Sequence, residues 1–303
     1  MRQFVAVAEE LHFGKAALRL NMAQPPLSQA IRRLELDLGV ELFDRTKRAV
    51  ELTGPGRVFL DEARRTLLQA ERARKMTQRA AAEALDVRVS FIGLALYQAL
   101  PGIMLTHRAG RPGVEVRLFE RTSTESIKGV LEGDLDVGFV SMLNEPIAGL
   151  ATMVVERVSH VAAVPADWDL AQQASVSLAD LADQPFILPP QNYSPFFSEP
   201  LAMFASLGIT PRVTQEASQA ATMLSLVSAG LGCSIMTSGV VRSRPLNVKF
   251  LKIEDAPQYR PWELMLVWAA EGATHPAAGF VQAAKDYLAA NPQVLDPSSW
   301  NPS

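Results

Sequence analysis

The sequence predicts a multi-domain chain: an α-rich head of three helices and a basic β-ribbon, a long linker helix, and two α/β lobes that enclose a cleft. Three observations carry that reading. At 303 residues the chain exceeds the roughly 100 to 200 of a common domain, so more than one core is expected. The apolar period is helical up to Ala84 and turns at Val87 to short β-branched runs alternating with helical ones. Charge divides the same way: residues 1–80 hold 15 Lys and Arg against 10 Asp and Glu, and the remainder 14 against 22, so a +5 part precedes a −8 part. That asymmetry fits a polyanion-binding head on an acidic body, although uneven scatter of surface charge produces it too.

A hydrophobic content of 48% with 20% charged residues is that of a soluble globular protein and excludes disordered and fibrous classes. No run approaches the roughly 20 apolar residues of a membrane span, and Glu9 and Glu10 break the basic-then-apolar plan of a signal peptide. No membrane partner and a cytoplasmic location are therefore expected. The single cysteine, Cys233, excludes an internal disulfide and fits a reducing compartment.

In the head, Phe4, Val5, Ala8 and Leu11 share one face of a first helix, and Gly14 to Leu20 forms a short second helix with Ala16, Ala17 and Leu20 inside. Asn21-Met22 is a turn short enough to set the next helix at a steep angle. That third helix opens on Gln24-Pro25-Pro26, prolines tolerated in a first turn because the N–H groups there have no helical acceptor. It buries Leu27, Ala30, Ile31, Leu34 and Leu38 and turns Gln29, Arg32 and Arg33 outward. Gln matches adenine bidentately, and Arg matches guanine or clamps phosphate, so the outward face carries the side chains of a major-groove reader. Gly39 ends the helix, and Val40 to Phe43 with Val50 to Leu52 alternate as two strands around Asp44-Arg45-Thr46-Lys47-Arg48. Three helices and this basic wing make a winged helix-turn-helix, with helix three in the groove and the wing over adjacent phosphates.

One helix is expected from Pro55 to Ala84, capped by Thr53; about 30 residues give it roughly 45 Å. Phe59, Ala63, Thr66, Ala70, Ala73, Thr77 and Ala80 recur in steps of four and three, a heptad seam that needs a partner helix. Dimerisation along it pairs two heads on a two-fold site. A helix lying on its own domain is the alternative.

Beyond Val87 come strand 87–93, helix 97–107, strand 114–120, helix 123–132 and strand 137–140, the βαβ plan of a parallel sheet. A second series runs from strand 158–164 through 178–183, strand 186–188, helix 196–207, strand 212–216, helix 220–229 and strand 233–236. The chain then returns through Trp262 to Trp268 to a last helix, 278–289. The domains expected are a head 1–53, a linker 54–85, lobe I from 86–157 with 265–290, lobe II 158–264, and a disordered tail from Asn291.

The runs Phe4-Val5-Ala6-Val7-Ala8-Glu9, Phe13-Gly14-Lys15-Ala16-Ala17, Gln24-Pro25-Pro26-Leu27-Ser28-Gln29-Ala30-Ile31-Arg32-Arg33-Leu34-Glu35, Leu38-Gly39-Val40, Leu42-Phe43-Asp44-Arg45 and Leu52-Thr53-Gly54-Pro55-Gly56 closely resemble the head of LysR-type transcriptional regulators. Leu100-Pro101, Gly133-Asp134-Leu135-Asp136-Val137-Gly138 and Val227-Ser228-Ala229-Gly230-Leu231-Gly232 resemble the effector domain of the same family, so the likeness covers nearly the whole chain. It implies a two-lobed α/β effector domain similar to periplasmic binding proteins of type II. It also implies a homo-oligomer, usually a dimer of dimers, that binds an interrupted palindromic DNA operator and answers a pathway metabolite by changing DNA bending and recruitment of RNA polymerase. By position, Gln29 and Arg32 read bases, Pro25, Ser28 and Arg33 meet phosphate or base edges, and Arg45, Lys47 and Arg48 serve the wing. Phe59, Ala63, Thr66, Ala70 and Ala73 are the expected dimerisation residues. Within the family the chain is most similar to regulators of aromatic degradation that respond to benzoate- or muconate-like acids. Three departures stand out. The chain starts a few residues later than is usual, which implies either a clipped first turn of helix one or a native start further upstream. Ala23 replaces a common serine, forfeiting an N-cap worth roughly 1 kcal/mol. Leu94 and Ser141 stand where aromatic-responsive members carry polar anchors, which argues against a dicarboxylate effector.

A small anion between the lobes can be held by helix N-terminal N–H groups with hydroxyls. Thr122-Ser123-Thr124 and Asn192-Tyr193-Ser194-Pro195 precede helices in opposite lobes, so Thr122, Ser123, Ser141, Asn192, Ser194 and Phe197 are expected to line the effector pocket, closed by Leu94 and Tyr97. Ordinary N-caps explain the hydroxyls as well. For catalysis the residues are poor: Cys233 sits in an apolar strand, and His12, His107, His160 and His275 show no metal-ligand spacing, so no enzyme and no cofactor are expected. A solute-binding protein would share the lobes but not the winged head. A ligand-independent nucleoid protein would share the head but has no use for a cleft. The expected mechanism is a population shift in which effector binding reorients the lobes and changes which half-sites the heads reach together.

Overall fold

The computed structural model describes residues 1–44, 50–81, 86–141, 145–190, 199–255, 261–271 and 275–297. Two compact units are present, Met1–Ala84 with Leu131–Gly133, and Leu85–Val130 with Asp134–Ser303.

The first unit runs α1 (Arg2–Glu10), α2 (Phe13–Arg19), α3 (Gln24–Leu38), the two-residue strands β1 (Phe43–Asp44) and β2 (Glu51–Leu52), and α4 (Gly54–Ala81). The strands are antiparallel with Phe43 opposite Leu52. Its core gathers Phe4, Val7, Ala16, Leu27, Ile31, Leu42 and Phe43, and the Phe4 ring lies 5.2 Å from Phe43 and 4.9 Å from Phe59. His12 Nδ1 caps α2 by accepting the Lys15 N–H at 3.2 Å, and Thr53 Oγ1 caps α4 by accepting that of Gly56 at 3.0 Å. Ala23 precedes α3 without a side-chain cap.

Two expectations for this unit are corrected. Leu38 is exposed, because α3 ends there, at Gly39 with φ 70°, and its last turn projects beyond the core. The seam along α4 is divided: Phe59 and Ala63 belong to the head's own core, whereas Thr66, Ala70 and Ala73 are exposed on the chain. The cause is α1, which packs on the start of α4 and is tied to it through Glu9, whose carboxylate meets Arg64 at 2.9 Å and Arg19 of α2 at 2.8 Å.

The second unit holds β3 (Val87–Phe91), α5 (Ala99–Gly110), β4 (Val116–Glu120), α6 (Ser123–Glu132), β5 (Val137–Ser141) and β6 (Leu150–Val158). The chain crosses at Ser159 into β7 (His160–Pro165), β8 (Ser175–Val176), α7 (Leu178–Ala182), β9 (Pro185–Leu188), α8 (Glu199–Ser206), β10 (Arg212–Glu216), α9 (Ala220–Ser228), β11 (Ser234–Thr237) and β12 (Val248–Ile253). It returns through β13 (Trp262–Ala269) to α10 (His275–Ala290). The first sheet has the order β4-β3-β5-β13-β6 and the second β11-β7-β12-β8, with the β9-β10 pair attached by a Phe186–Cys233 bridge. Val89, Phe139, Leu264, Leu266 and Phe280 are buried in the first lobe; Phe186 and Phe204 meet edge-on at 5.2 Å in the second.

The sheets are mixed rather than parallel throughout, since β13 runs antiparallel to both β5 and β6. Strands β6, β8 and β12 were not expected. Because β13 pairs with β6 from Trp262 onward, the lobe boundary expected after residue 264 falls inside a strand of the first sheet. The tail is ordered in part: Pro292–Leu295 form a 3-10 turn and Val294 is buried.

Candidate functional site

Burial of Leu27 and Ile31 fixes the rotation of α3, so Pro25, Gln29, Arg32 and Arg33 face solvent and Ser28 is half-buried. These five residues share one helix and the structure brings them together. Arg45, Lys47 and Arg48 lie outside the described residues.

In the second unit a cavity of about 730 Å³ opens between the carboxyl ends of the first sheet and the elements of the second lobe. Leu94 and Tyr97, from a 3-10 turn at Gly93–Tyr97, line it with Thr122, Ser123 and Ser141. Met223, Met236, Val240 and Trp262 make much of the rest apolar. Burial raises the Tyr97 hydroxyl's pKa, which keeps it a protonated donor at neutral pH.

The two serines are coupled. Ser123 Oγ accepts the Ser141 N–H at 3.1 Å and lies 3.1 Å from Ser141 Oγ, so a hydroxyl pair closes the end of β5 against the start of α6. Thr122 is committed differently from the expectation. Its hydroxyl donates to Glu125 Oε2 at 2.9 Å and accepts the Glu125 N–H at 3.3 Å, while its own N–H reaches the same carboxylate at 2.9 Å. That reciprocal capping box occupies the Thr122 hydroxyl, which lines the cavity without a spare donor. The Thr122 N–H, then its hydroxyl, hold the Glu125 pKa below the usual carboxylate range. Asn192, Ser194 and Phe197 lie outside the described residues.

Arg121, His160, Gln219 and Trp262 also line the cavity and were not singled out from sequence. His160 opens β7 at the lobe crossing and Gln219 is the N-cap of α9 within the second lobe, and a rule that weighs such starting positions would have found them.

Glu156 of β6 is buried, with Oε2 accepting the Ala99 N–H at the start of α5 at 3.2 Å and Oε1 without a hydrogen-bond partner among the described residues. Burial pushes its pKa up to about 7, against smaller lowering by the Ala99 N–H and the Arg242 charge. His107 is buried against Phe280 at 5.3 Å, and burial lowers its pKa so that it stays neutral. Cys233 is buried in the second lobe and its thiol is pushed up to about 12, which leaves it a packing group rather than a nucleophile. Among the described residues no helix is long and apolar enough to cross a membrane.

Comparison with known proteins covers both units. Residues 1–57 match the model of the bacterial regulatory helix-turn-helix protein, lysR family, and residues 81–289 match the LysR substrate binding domain. The chain is 36% identical to the HTH-type transcriptional regulator AlsR of Bacillus subtilis over 86% of its own length and 87% of that protein's. It is 32% identical to BenM of Acinetobacter baylyi over 86% of each. Among solved structures it resembles CbnR, a LysR family transcriptional regulator also solved with its target DNA, with a TM-score of 0.59 and 28% identity over 94% of this chain and 96% of that one. The effector binding domain of BenM with its effector benzoate shares the fold, with a TM-score of 0.60 at 21% identity over 72% of this chain and 98% of that one.

Proposed function

The chain belongs to the LysR family of DNA-binding transcriptional regulators, and from that premise we propose how its residues read an operator and sense a ligand. Gln29 and Arg32 read base edges in the major groove, Pro25, Ser28 and Arg33 settle the helix on phosphates, and Arg45, Lys47 and Arg48 add phosphate contacts from the wing. The observation that supports this is the exposed Gln29, Arg32, Arg33 face set opposite the buried Leu27 and Ile31.

The effector is an aromatic or small organic acid held in the cavity between the lobes. Its carboxylate sits at the start of α6 beside Ser123 and Ser141, and its apolar body lies against Leu94, Met236 and Trp262; Asn192, Ser194 and Phe197 stay candidate contacts outside the described residues. The chain acts as a dimer of dimers in the cytoplasm. Thr66, Ala70 and Ala73 meet a partner helix, Phe59 and Ala63 set the direction of α4, and the DNA-bound assembly recruits RNA polymerase.

Selection from a random duplex pool with the full-length protein supplies the operator. Gln29→Ala then relaxes preference at one base position by about 1–3 kcal/mol while leaving the others intact. Unchanged preference at every position sinks the helix assignment. For the cavity, benzoate raises the thermal midpoint of the unaltered protein and not of Ser123→Leu; equal shifts in both remove Ser123 from the site.

A further inference from the structure

The end of the cavity that receives a carboxylate already holds one of its own. Among the N–H groups at the start of α6, that of Thr122 goes to Glu125 Oε2 at 2.9 Å and that of Glu125 to Thr122 Oγ1 at 3.3 Å. The N–H groups of Ser123 and Thr124, two residues that line the cavity, have no acceptor among the described residues. The serine pair is half spent. Ser123 Oγ accepts the Ser141 N–H, and its 3.1 Å contact with Ser141 Oγ uses one of the two hydroxyl hydrogens, so one is left to give. Two amides and one hydroxyl suffice for a single carboxylate. Glu125 lies in the same first turn, folded back on the helix start, and lines the cavity beside them. The Thr122 N–H, then the Thr122 hydroxyl, and more weakly the Arg121 charge keep its carboxyl below the usual range, so an anion stands there at neutral pH. Glu120 and Arg121 line the same cavity, which sets two carboxylates against one guanidinium among the described lining residues.

We infer that Glu125 selects the effector by charge: its carboxylate opposes each negative charge that a ligand brings to the start of α6, so the site admits a singly charged acid and disfavours a doubly charged one. The free amides and the serine pair attract the ligand's carboxylate, and Glu125 sets how much negative charge that attraction can hold. This rests on the reading that the effector's carboxylate lies beside Ser123 and Ser141. Glu125 is exposed, so water weakens its field, and salt at 0.1 M screens it beyond about 10 Å. At low salt a ligand charge roughly 7 Å away then loses about two- to threefold in affinity.

Glu125→Gln separates the charge from the cap, because Gln serves a capping box as Glu does and its side-chain oxygen can accept the same Thr122 N–H. Three probes of graded charge give the test: benzamide is neutral, benzoate carries one negative charge and isophthalate two. Isothermal titration of the full-length native protein and of Glu125→Gln, in about 20 mM salt, yields a variant-to-native affinity ratio for each probe, in which the probe's own shape cancels. The ratio is expected to be 1 for benzamide, about two to three for benzoate and larger for isophthalate. Raising the salt to about 0.5 M should bring all three ratios toward 1, since the screening length there is shorter than the separation. A ratio that is the same for the three probes, whether 1 or not, overturns the inference; a common factor other than 1 means that Glu125 acts only through the fold of the helix start. Ratios that persist undiminished at high salt overturn it as well. Failure of all three probes to bind the native protein removes the reading of the cavity as an aromatic-acid site, and this inference with it. Native binding of benzoate that Ser123→Leu abolishes, beside equal ratios in Glu125→Gln, refutes Glu125 alone.

Discussion

Replacing Glu156 by Gln isolates one buried ionisation. The carboxyl has a pKa of about 7 in the folded chain against 4.5 when free, so the folded state holds its proton where the unfolded state has released it. A raised carboxyl contributes stability that is fully present below pH 4.5 and is lost as pH climbs through about 7. At about 1.36 kcal/mol per pKa unit, the stability lost between pH 5 and pH 8 through this one group is about 2.5 kcal/mol. Gln keeps an acceptor for the Ala99 N–H and places an amide where Oε1 has no partner among the described residues, a cost independent of pH. The variant's stability minus the native protein's is therefore expected to rise by about 2.5 kcal/mol from pH 5 to pH 8, whatever its offset. Urea unfolding followed by tryptophan fluorescence reads this cleanly, because Trp168, Trp262, Trp268 and Trp300 all fall in the second unit. Parallel stability curves for the two proteins across that range refute the assignment.

Other changes probe other parts. Ala23→Ser restores a cap to α3, which has none, and should stabilise the head by about 1 kcal/mol in helical circular dichroism melts; no gain would mean the start of α3 is satisfied in another way. Gly56→Ala puts a Cβ 2.1 Å from Leu42 O, a backbone atom already bonded to Thr53, and is expected to cost the head about 3 kcal/mol; a native melting curve contradicts the packing described. Cys233 should resist iodoacetamide at pH 8 and react once urea unfolds the chain, with mass spectrometry counting the adduct; rapid native labelling contradicts its burial.

Much of the head was legible because local rules decide it. The spacing of Leu27 and Ile31 fixed the outward direction of Gln29 and Arg32, and Gly39 marked the helix end. Strand β6 escaped notice because Glu156 and Arg157 interrupt its apolar residues, and nothing nearby in sequence signals that Glu156 is buried. Its partner β13 lies about a hundred residues away, beyond the reach of local pattern. The lobe boundary was misplaced for the same reason, since only long-range pairing shows that Trp262 belongs to the first sheet. Thr122 to Glu125 carried the spacing of a capping box but was read as a ligand contact, and the helix end claimed the hydroxyl first. Glu35 was visible as a residue of the motif. The bonds that its carboxylate accepts from the Leu42 and Phe43 N–H groups depend on a chain reversal that no periodicity encodes.

The early turns of α4 are welded to the head at Phe59, Ala63 and Arg64, and that makes the helix a lever arm rather than a tether. Its 28 residues span about 42 Å, and its joint to the head, made against α1, contains packed rings and an ion pair instead of a free linker. A tilt of about 10° between the far end of the arm and the head displaces one relative to the other by about 7 Å, roughly two base steps along a duplex. On the pairing through α4 proposed above, small angular changes in how two such arms cross reach the DNA, and the reach of a paired head becomes a question of angle before it is one of contacts.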